Sequence, residues 1–115
     1  MPPAKTIERQ VSVNPDQMAD NAREASEFLK ALAHESRLLI LCELLGGEKS
    51  VGELEKFLER RQSTVSQQLA RLRLEGLVAA RRDGKTIYYS ISDEKVRAVI
   101  GVLYNTFCVV KPRAA

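Results

Sequence analysis

The two cysteines are the side chains with the most distinctive chemistry in this 115-residue sequence, which also has one histidine. Cys42 and Cys108 lie far apart in the chain, and their spacing matches neither a secreted disulfide framework nor a CxxC or zinc-ribbon motif. Taken singly, each is typical of a free cysteine that packs as a small hydrophobe. Taken as a pair, they could be linked by thiolate attack on a sulfur atom. Core packing and redox chemistry both stay open at this point.

A second set of side chains, between positions 62 and 85, suits hydrogen bonding to DNA. Residues 60–85 carry seven basic and two acidic side chains, a balance of 7 − 2 = +5, whereas residues 14–59 carry five and ten, a balance of −5. Composition alone fits a solvated charged face. Amides pair with adenine, arginine with guanine, and hydroxyls with base edges or phosphates. The candidate DNA-binding residues are Gln62, Ser63, Thr64, Ser66, Gln67, Gln68, Arg71, Arg81, Arg82 and Lys85.

Periodicity predicts three helices ahead of this region. Asn14 as N-cap opens a first amphipathic helix that ends near residue 32. A second helix, apolar on most of its circumference and therefore central, contains Cys42 and ends at Gly46-Gly47. Ser50 and Glu53 form a capping box for a short third helix. The predicted inward residues of that helix are Val51, Leu54, Phe57 and Leu58.

The polar stripe falls on a fourth helix, predicted to start at Ser63 as N-cap and to stop near Gly76. Its apolar residues, Val65, Leu69 and Leu72, share one arc, and Thr64, Gln67, Gln68 and Arg71 share another. A hairpin follows, with strands 77–82 and 85–91 around an Asp83-Gly84 turn. Ser92 then caps a fifth helix, whose predicted apolar face is Val96, Val99, Ile100, Leu103, Tyr104 and Phe107.

This order of elements predicts a mainly α, winged helix-turn-helix fold with five helices and a two-stranded wing. The segments ALAHESRL (31–38), QSTVSQQL (62–69), LRLEGLV (72–78) and RRDGK (81–85), followed by Tyr88-Tyr89, resemble the ArsR/SmtB family of bacterial repressors. The resemblance covers residues 16–110. It implies a homodimer through the first and last helices that binds double-stranded operator DNA.

The placement of the cysteines resembles a subgroup of that family, the biofilm-growth-associated and sulfide:quinone oxidoreductase repressors. These carry one cysteine in the second helix and one in the last. The resemblance implies a regulatory dithiol of Cys42 and Cys108 that reactive sulfur species cross-link, which releases the DNA. A general oxidant that forms a direct disulfide is the alternative signal, and haem or another ligand at the cysteines also stays open.

Metal sensing and catalysis have less support in the sequence. The Cys-x-Cys of metal-sensing relatives is replaced by Ser50-Val51-Gly52, and residues 96–110 contain no His or carboxylate. The one histidine, His34, is predicted to cap or pack before the second helix. No Ser-His-Asp set, paired-carboxylate site or phosphate-binding glycine loop is visible. We therefore predict no catalytic residue, no metal and no cofactor; a metal-responsive repressor and a winged helix that binds protein remain alternatives.

The ends of the chain complete the predicted organisation. Residues 1–13 are polar, contain two prolines and lack an apolar core segment, so we expect a flexible arm there. Residues 14–111 are expected to form the DNA-binding and dimerisation domain. The absence of an apolar run of spanning length predicts a cytoplasmic protein with no membrane partner.

Overall fold

The fold was obtained as a computed structural model that describes residues 14–59 and 62–108. The chain forms α1 (Pro15–Leu32), α2 (Glu35–Leu44), β1 (Lys49–Ser50), α3 (Val51–Leu58), α4 (Gln62–Leu74), β2 (Val78–Asp83), β3 (Thr86–Ile91), α5 (Glu94–Leu103) and a π-helical segment (Tyr104–Cys108). The predicted arm and residues 109–111 of the predicted domain lie outside this description. The chain divides into two compact units, with the boundary between Ala31 and Leu32.

Helix α1 makes up most of the first unit. Its N-cap is as predicted, because Asn14 Oδ1 accepts a hydrogen bond from the backbone N–H of Gln17 at 3.1 Å. The apolar side chains of Met18 and Leu29 are both more than half exposed. An amphipathic helix gains most of its stability by burying its apolar face.

The core of the second unit is built around helix α2. Ile40, Leu41 and Leu44 of this helix are buried to 1 % exposure or less, and α2 packs against α3, α4, α5 and β3. This confirms the predicted central helix. The fully buried side chains from the other helices are Leu54, Val65, Leu69, Leu72, Val96 and Ile100. Each such burial stabilises the fold by roughly 1.5–3 kcal/mol relative to exposure.

Local capping explains where α2 and α3 begin. Ser50 Oγ accepts from the N–H of Glu53 at 3.1 Å, and the Glu53 carboxylate accepts from the N–H of Ser50 at 2.8 Å, so the predicted capping box is confirmed. His34 Nδ1 accepts from the N–H of Ser36 at 3.2 Å and caps α2, as one of its two expected roles.

Two predicted caps were wrong. Helix α4 already begins at Gln62, which places Ser63 inside its first turn. Helix α5 is capped by Asp93, whose carboxylate accepts from the N–H of Lys95 at 2.7 Å, and not by Ser92. A carboxylate at this position also interacts favourably with the helix dipole. The Ser92 hydroxyl instead donates to the carbonyl of Gly76 at 3.1 Å.

The sheet has three strands in the antiparallel order β1-β3-β2, one more than predicted. The added strand is the two-residue β1, in which Lys49 pairs with Tyr89. The turn is shifted by one residue from the predicted pair, because Asp83 still pairs with Thr86. Gly84, at φ +65°, supplies the left-handed conformation that this turn needs. Tyr89 and Ile91 of β3 are buried, as the predicted alternation requires.

Three side chains that the periodicity places on apolar helix faces are exposed in this chain. Phe57 of α3 is 46 % exposed, Tyr104 is 42 % exposed and Phe107 is 77 % exposed. The predicted fifth helix also changes character, because it is α-helical only to Leu103 and π-helical from Tyr104 to Cys108. None of the described helices combines the length and the apolar composition that a membrane span requires.

Candidate nucleic-acid interface and thiol pair

Helix α4 has the two faces that its sequence predicts. Val65, Leu69 and Leu72 are fully buried and anchor the helix to the core. Gln67 and Arg71 on the other arc are exposed, and the residues Thr64, Ser66 and Gln68 are half-buried. Gln62 and Ser63 belong to the first turn of α4, and their side chains lie outside the description. The helix is therefore held rigidly by its apolar side and offers hydrogen-bonding groups on the other.

Two candidate residues of α4 already have protein partners. Arg71 Nε donates to the carboxylate of Glu75 at 3.2 Å, an i,i+4 ion pair on the exposed face. Gln68 Oε1 accepts from Nε of Arg37, a residue of α2, at 2.9 Å. The first contact is a local surface pair of small energetic value. The second joins two helices and is partly buried.

The hairpin of β2 and β3 forms the wing and carries the remaining candidates. Arg82 and Lys85 are exposed. Arg81 makes a bidentate ion pair with Glu48, with Nε–Oε2 and Nη2–Oε1 distances of 2.9 and 2.8 Å. Its guanidinium carbon also lies 4.8 Å from the ring centroid of Tyr88, the cross-strand neighbour. The structure thus holds Arg81 against the base of the wing.

The Glu48–Arg81 contact has a matching electrostatic signature. The hydrogen bonds from Arg81 hold the pKa of the Glu48 carboxyl below its usual value, and the Glu48 carboxylate raises the pKa of the Arg81 guanidinium. Both groups are accessible to water, so the ion pair orients the arginine fork more than it stabilises the fold.

The wing and α4 meet at a shallow cleft. Ser66 of α4 lines it together with Lys85 of the wing. The opposite wall is the capped start of α3, and the full lining is Ser50, Val51, Gly52, Ser66, Lys85, Thr86 and Ile87. The structure therefore brings part of the predicted set together, with the α4 hydroxyl and the wing cation on one surface.

The two cysteines, distant in sequence, lie on one cavity. Cys42 of α2 is half-buried and Cys108, the last residue of the π-helical segment, is exposed; both are free thiols. They line an open apolar cavity of about 560 Å³, together with Ala33, His34, Glu35, Leu38, Leu39, Leu103 and Phe107. Burial raises the pKa of the Cys42 thiol, and the charge and hydrogen bonding of Cys108 raise it further. The Cys108 side chain is thus close enough to influence the proton equilibrium of Cys42.

Sequence reasoning missed two residues at this interface, Arg37 and Glu48. In the sequence Arg37 belongs to the ALAHESRL segment and is a cationic neighbour of Cys42, and Glu48 stands between glycine and lysine without any pattern. Each acts through a partner more than 30 residues away, with separations of 31 and 33. Only a three-dimensional structure links positions at that distance. Among the residues that the structure describes, no group of three or more His, Cys, Asp or Glu side chains could hold a metal ion.

This is the architecture of a winged helix-turn-helix DNA-binding protein. It consists of the helix pair α3–α4, the exposed hydrogen-bonding face of α4 and the wing beside it. A family model described as "Bacterial regulatory protein, arsR family" matches residues 34–80. The biofilm growth-associated repressor of Agrobacterium fabrum is 47 % identical over 91 residues, which cover 79 % of this chain and 78 % of the relative.

Solved structures agree with this assignment. Reduced HlyU from Vibrio cholerae superposes with a TM-score of 0.77 at 46 % identity, covering 81 % of this chain and 98 % of that one. The transcriptional repressor BigR from Xylella fastidiosa gives a TM-score of 0.76 at 40 % identity, covering 85 % and 100 %. The chain belongs to the ArsR family of bacterial transcriptional regulators, a family of DNA-binding proteins and not of enzymes.

Proposed function

We propose that this regulator is a repressor that binds operator DNA as a homodimer while Cys42 and Cys108 are reduced. Helix α4 enters the major groove, and the wing reaches the flanking backbone. The observation that supports this arrangement is the exposed hydrogen-bonding face of α4 beside a cationic hairpin. The DNA contacts in this proposal are Gln62, Ser63, Thr64, Ser66, Gln67, Gln68, Arg71, Arg81, Arg82 and Lys85.

The dimer is proposed to form through the first and last helices. Met18 and Leu29 on α1 and Val102 and Phe107 near the end of the chain are apolar and more than half exposed. Exposed apolar side chains favour association when a partner covers them. An isologous interface would set two copies of α4 about 34–36 Å apart, one DNA turn, on a near-palindromic operator.

Reactive sulfur species are the proposed signal, and the shared cavity of Cys42 and Cys108 carries this part of the proposal. With trisulfane as the reagent, the exposed Cys108 thiolate attacks the central sulfur, breaks one of its S–S bonds and forms Cys108–S–S–SH with loss of hydrosulfide. The Cys42 thiolate then attacks the central sulfur and displaces a second hydrosulfide. Two thiols and one H₂S₃ give one trisulfide bridge and two H₂S. The two thiols lose two electrons in total, and the two terminal sulfurs of trisulfane gain them and leave as H₂S.

Such a bridge ties α2 to the π-helical segment at the end of the chain. Helix α2 packs against α4, so a change in its position can alter the DNA-binding face. A coupling free energy of about 1–3 kcal/mol lowers operator affinity several-fold to a hundredfold. By the same linkage, bound operator DNA disfavours the bridge by an equal factor.

The signal is tested by treating the reduced protein with inorganic polysulfide and, in parallel, with hydrogen peroxide. We expect a peptide that joins Cys42 to Cys108 with additional sulfur after polysulfide only, together with loss of operator binding. A direct disulfide under both reagents would establish a general oxidant sensor. Absence of any cross-link would return both cysteines to a packing role.

The DNA interface is tested by charge reversal at Arg71 and Arg81. Each reversal is expected to lower operator affinity and to reduce the salt dependence of binding, because a phosphate contact contributes to counterion release. The matched control is Arg97→Glu on α5, an exposed arginine that is not among the proposed DNA contacts. Full affinity in both interface variants would disprove DNA binding through this face.

A further inference from the structure

The contact between Arg37 and Gln68 links the supporting helix to the proposed reading face. Arg37 Nε lies 2.9 Å from Gln68 Oε1, and both side chains are half-buried. Gln67, its neighbour on the same arc, is exposed. The two adjacent glutamines of α4 therefore differ in how strongly the protein constrains them.

The hydrogen-bonding chemistry of the pair fixes the orientation of the Gln68 amide. A guanidinium has donors only, so its partner must be the amide oxygen and not the amide nitrogen. With the oxygen turned towards Arg37, the NH₂ group and the remaining oxygen lone pair are left for another partner.

We propose that Arg37 is a positioning residue that sets the base preference of Gln68, an inference that rests on the proposed DNA-reading role of α4. A free glutamine loses considerable rotamer entropy when it is ordered on a base edge. An amide that is already oriented avoids part of that loss, and it discriminates better between donor and acceptor patterns in the major groove. Arg37 thus acts on specificity through Gln68 without itself reading a base.

The test measures base preference and not affinity alone. Operator duplexes are first selected from a random pool with the reduced full-length protein. Binding is then measured to all single base-pair variants of the selected site. Gln68→Ala identifies the base pair that Gln68 reads, as the position where preference is lost. Arg37→Met is expected to flatten the preference at that same base pair by about threefold to tenfold, part of the discrimination that one good amide contact supplies.

A double mutant and a control separate positioning from a general charge effect. Once Gln68 is alanine, Arg37→Met should change the preference no further, because its route to the base has been removed. Arg97→Met on α5 removes the same kind of side chain and should leave every preference intact. If Arg37→Met weakened all duplexes equally, or if its effect added to that of Gln68→Ala, the positioning role would be refuted.

Two further outcomes are decisive. If Arg37→Met fails to fold, Arg37→Lys replaces it in the test, because lysine keeps the charge and a hydrogen-bond donor. The base preference of Arg37→Lys should remain closer to that of the wild type than to that of Gln68→Ala. A preference as flat as that of Gln68→Ala would overturn the inference. If Gln68→Ala changed no base preference, Gln68 would not be a reading residue. That result would contradict the proposed interface itself, and it is distinct from a failure confined to Arg37.

Discussion

The two thiols should differ in reactivity. The structure predicts which cysteine reacts first and how the reaction rate of Cys42 depends on pH. Cys108 is exposed, whereas Cys42 is half-buried, and burial and the neighbouring Cys108 raise the pKa of its thiol. An ordinary cysteine with a pKa of about 8.5 is only about 3 % thiolate at pH 7, and Cys42 falls below that fraction. Because the thiolate is the nucleophile, Cys108 should react first.

The assay is timed alkylation of the reduced protein with iodoacetamide, quenched by acid and read by peptide mass. Between pH 6 and pH 8, below the raised pKa of Cys42, its rate should rise about tenfold for each pH unit, in proportion to the thiolate fraction. A Cys42 rate equal to that of Cys108 at pH 7, or one that does not change between pH 6 and pH 8, would contradict the reasoning.

A Cys108→Ala variant isolates the contribution of the neighbouring thiol. It removes two of the causes that raise the pKa of Cys42 and leaves the largest, burial, in place. The midpoint of the pH–rate curve of Cys42 should therefore move to lower pH while staying above the ordinary value. Better access alone would raise the rate by the same factor at every pH, so the midpoint separates the two effects.

Three further predictions concern the fold and the wing. Leu69→Ala in α4 should lower the free energy of unfolding, measured by urea denaturation, by about 2–5 kcal/mol, because a fully buried side chain is lost. Leu74→Ala, at an exposed position, should change the free energy of unfolding by no more than about 0.5 kcal/mol. Ser50→Ala breaks the capping box of α3 and should cost about 0.5–2 kcal/mol in the same assay. Glu48→Gln frees the fork of Arg81 for phosphate, so operator affinity should rise at low salt; an unchanged or lower affinity would show that the carboxylate does not compete.

Local rules in the sequence predicted the helices and the part of the core that they bury. Val65, Leu69 and Leu72 recur at helical spacing and are all fully buried. The Ser50–Glu53 capping box depends only on residues three apart, and it forms as expected. These features follow from contacts between near neighbours, which a sequence displays directly.

Features set by distant pairing were less predictable. The two-residue strand β1 is too short for any alternation to be visible, and its place beside β3 is fixed by tertiary packing. The turn lies one residue later than predicted, and Asp83 continues the ladder by pairing with Thr86. Both registers leave the same side chains of β3 on the buried face, so the alternation in the sequence does not distinguish them. For Phe57 and Phe107, periodicity predicts an apolar face but does not tell whether this chain covers it.

The charge at the candidate interface is also less predictable from the sequence, because a sum of charges does not show which side chains are paired. The sequence contributes Arg71 and Arg81 equally to the basic block, yet each already faces a carboxylate, Glu75 in one case and Glu48 in the other. A phosphate that binds either arginine must compete with that carboxylate, and the bidentate Glu48 contact is the harder one to displace. The formal charge of residues 60–85 therefore overstates the cationic charge that is free to bind DNA. Glu48 lies outside this segment and Glu75 inside it, and both carboxylates help to set how strongly this face attracts DNA.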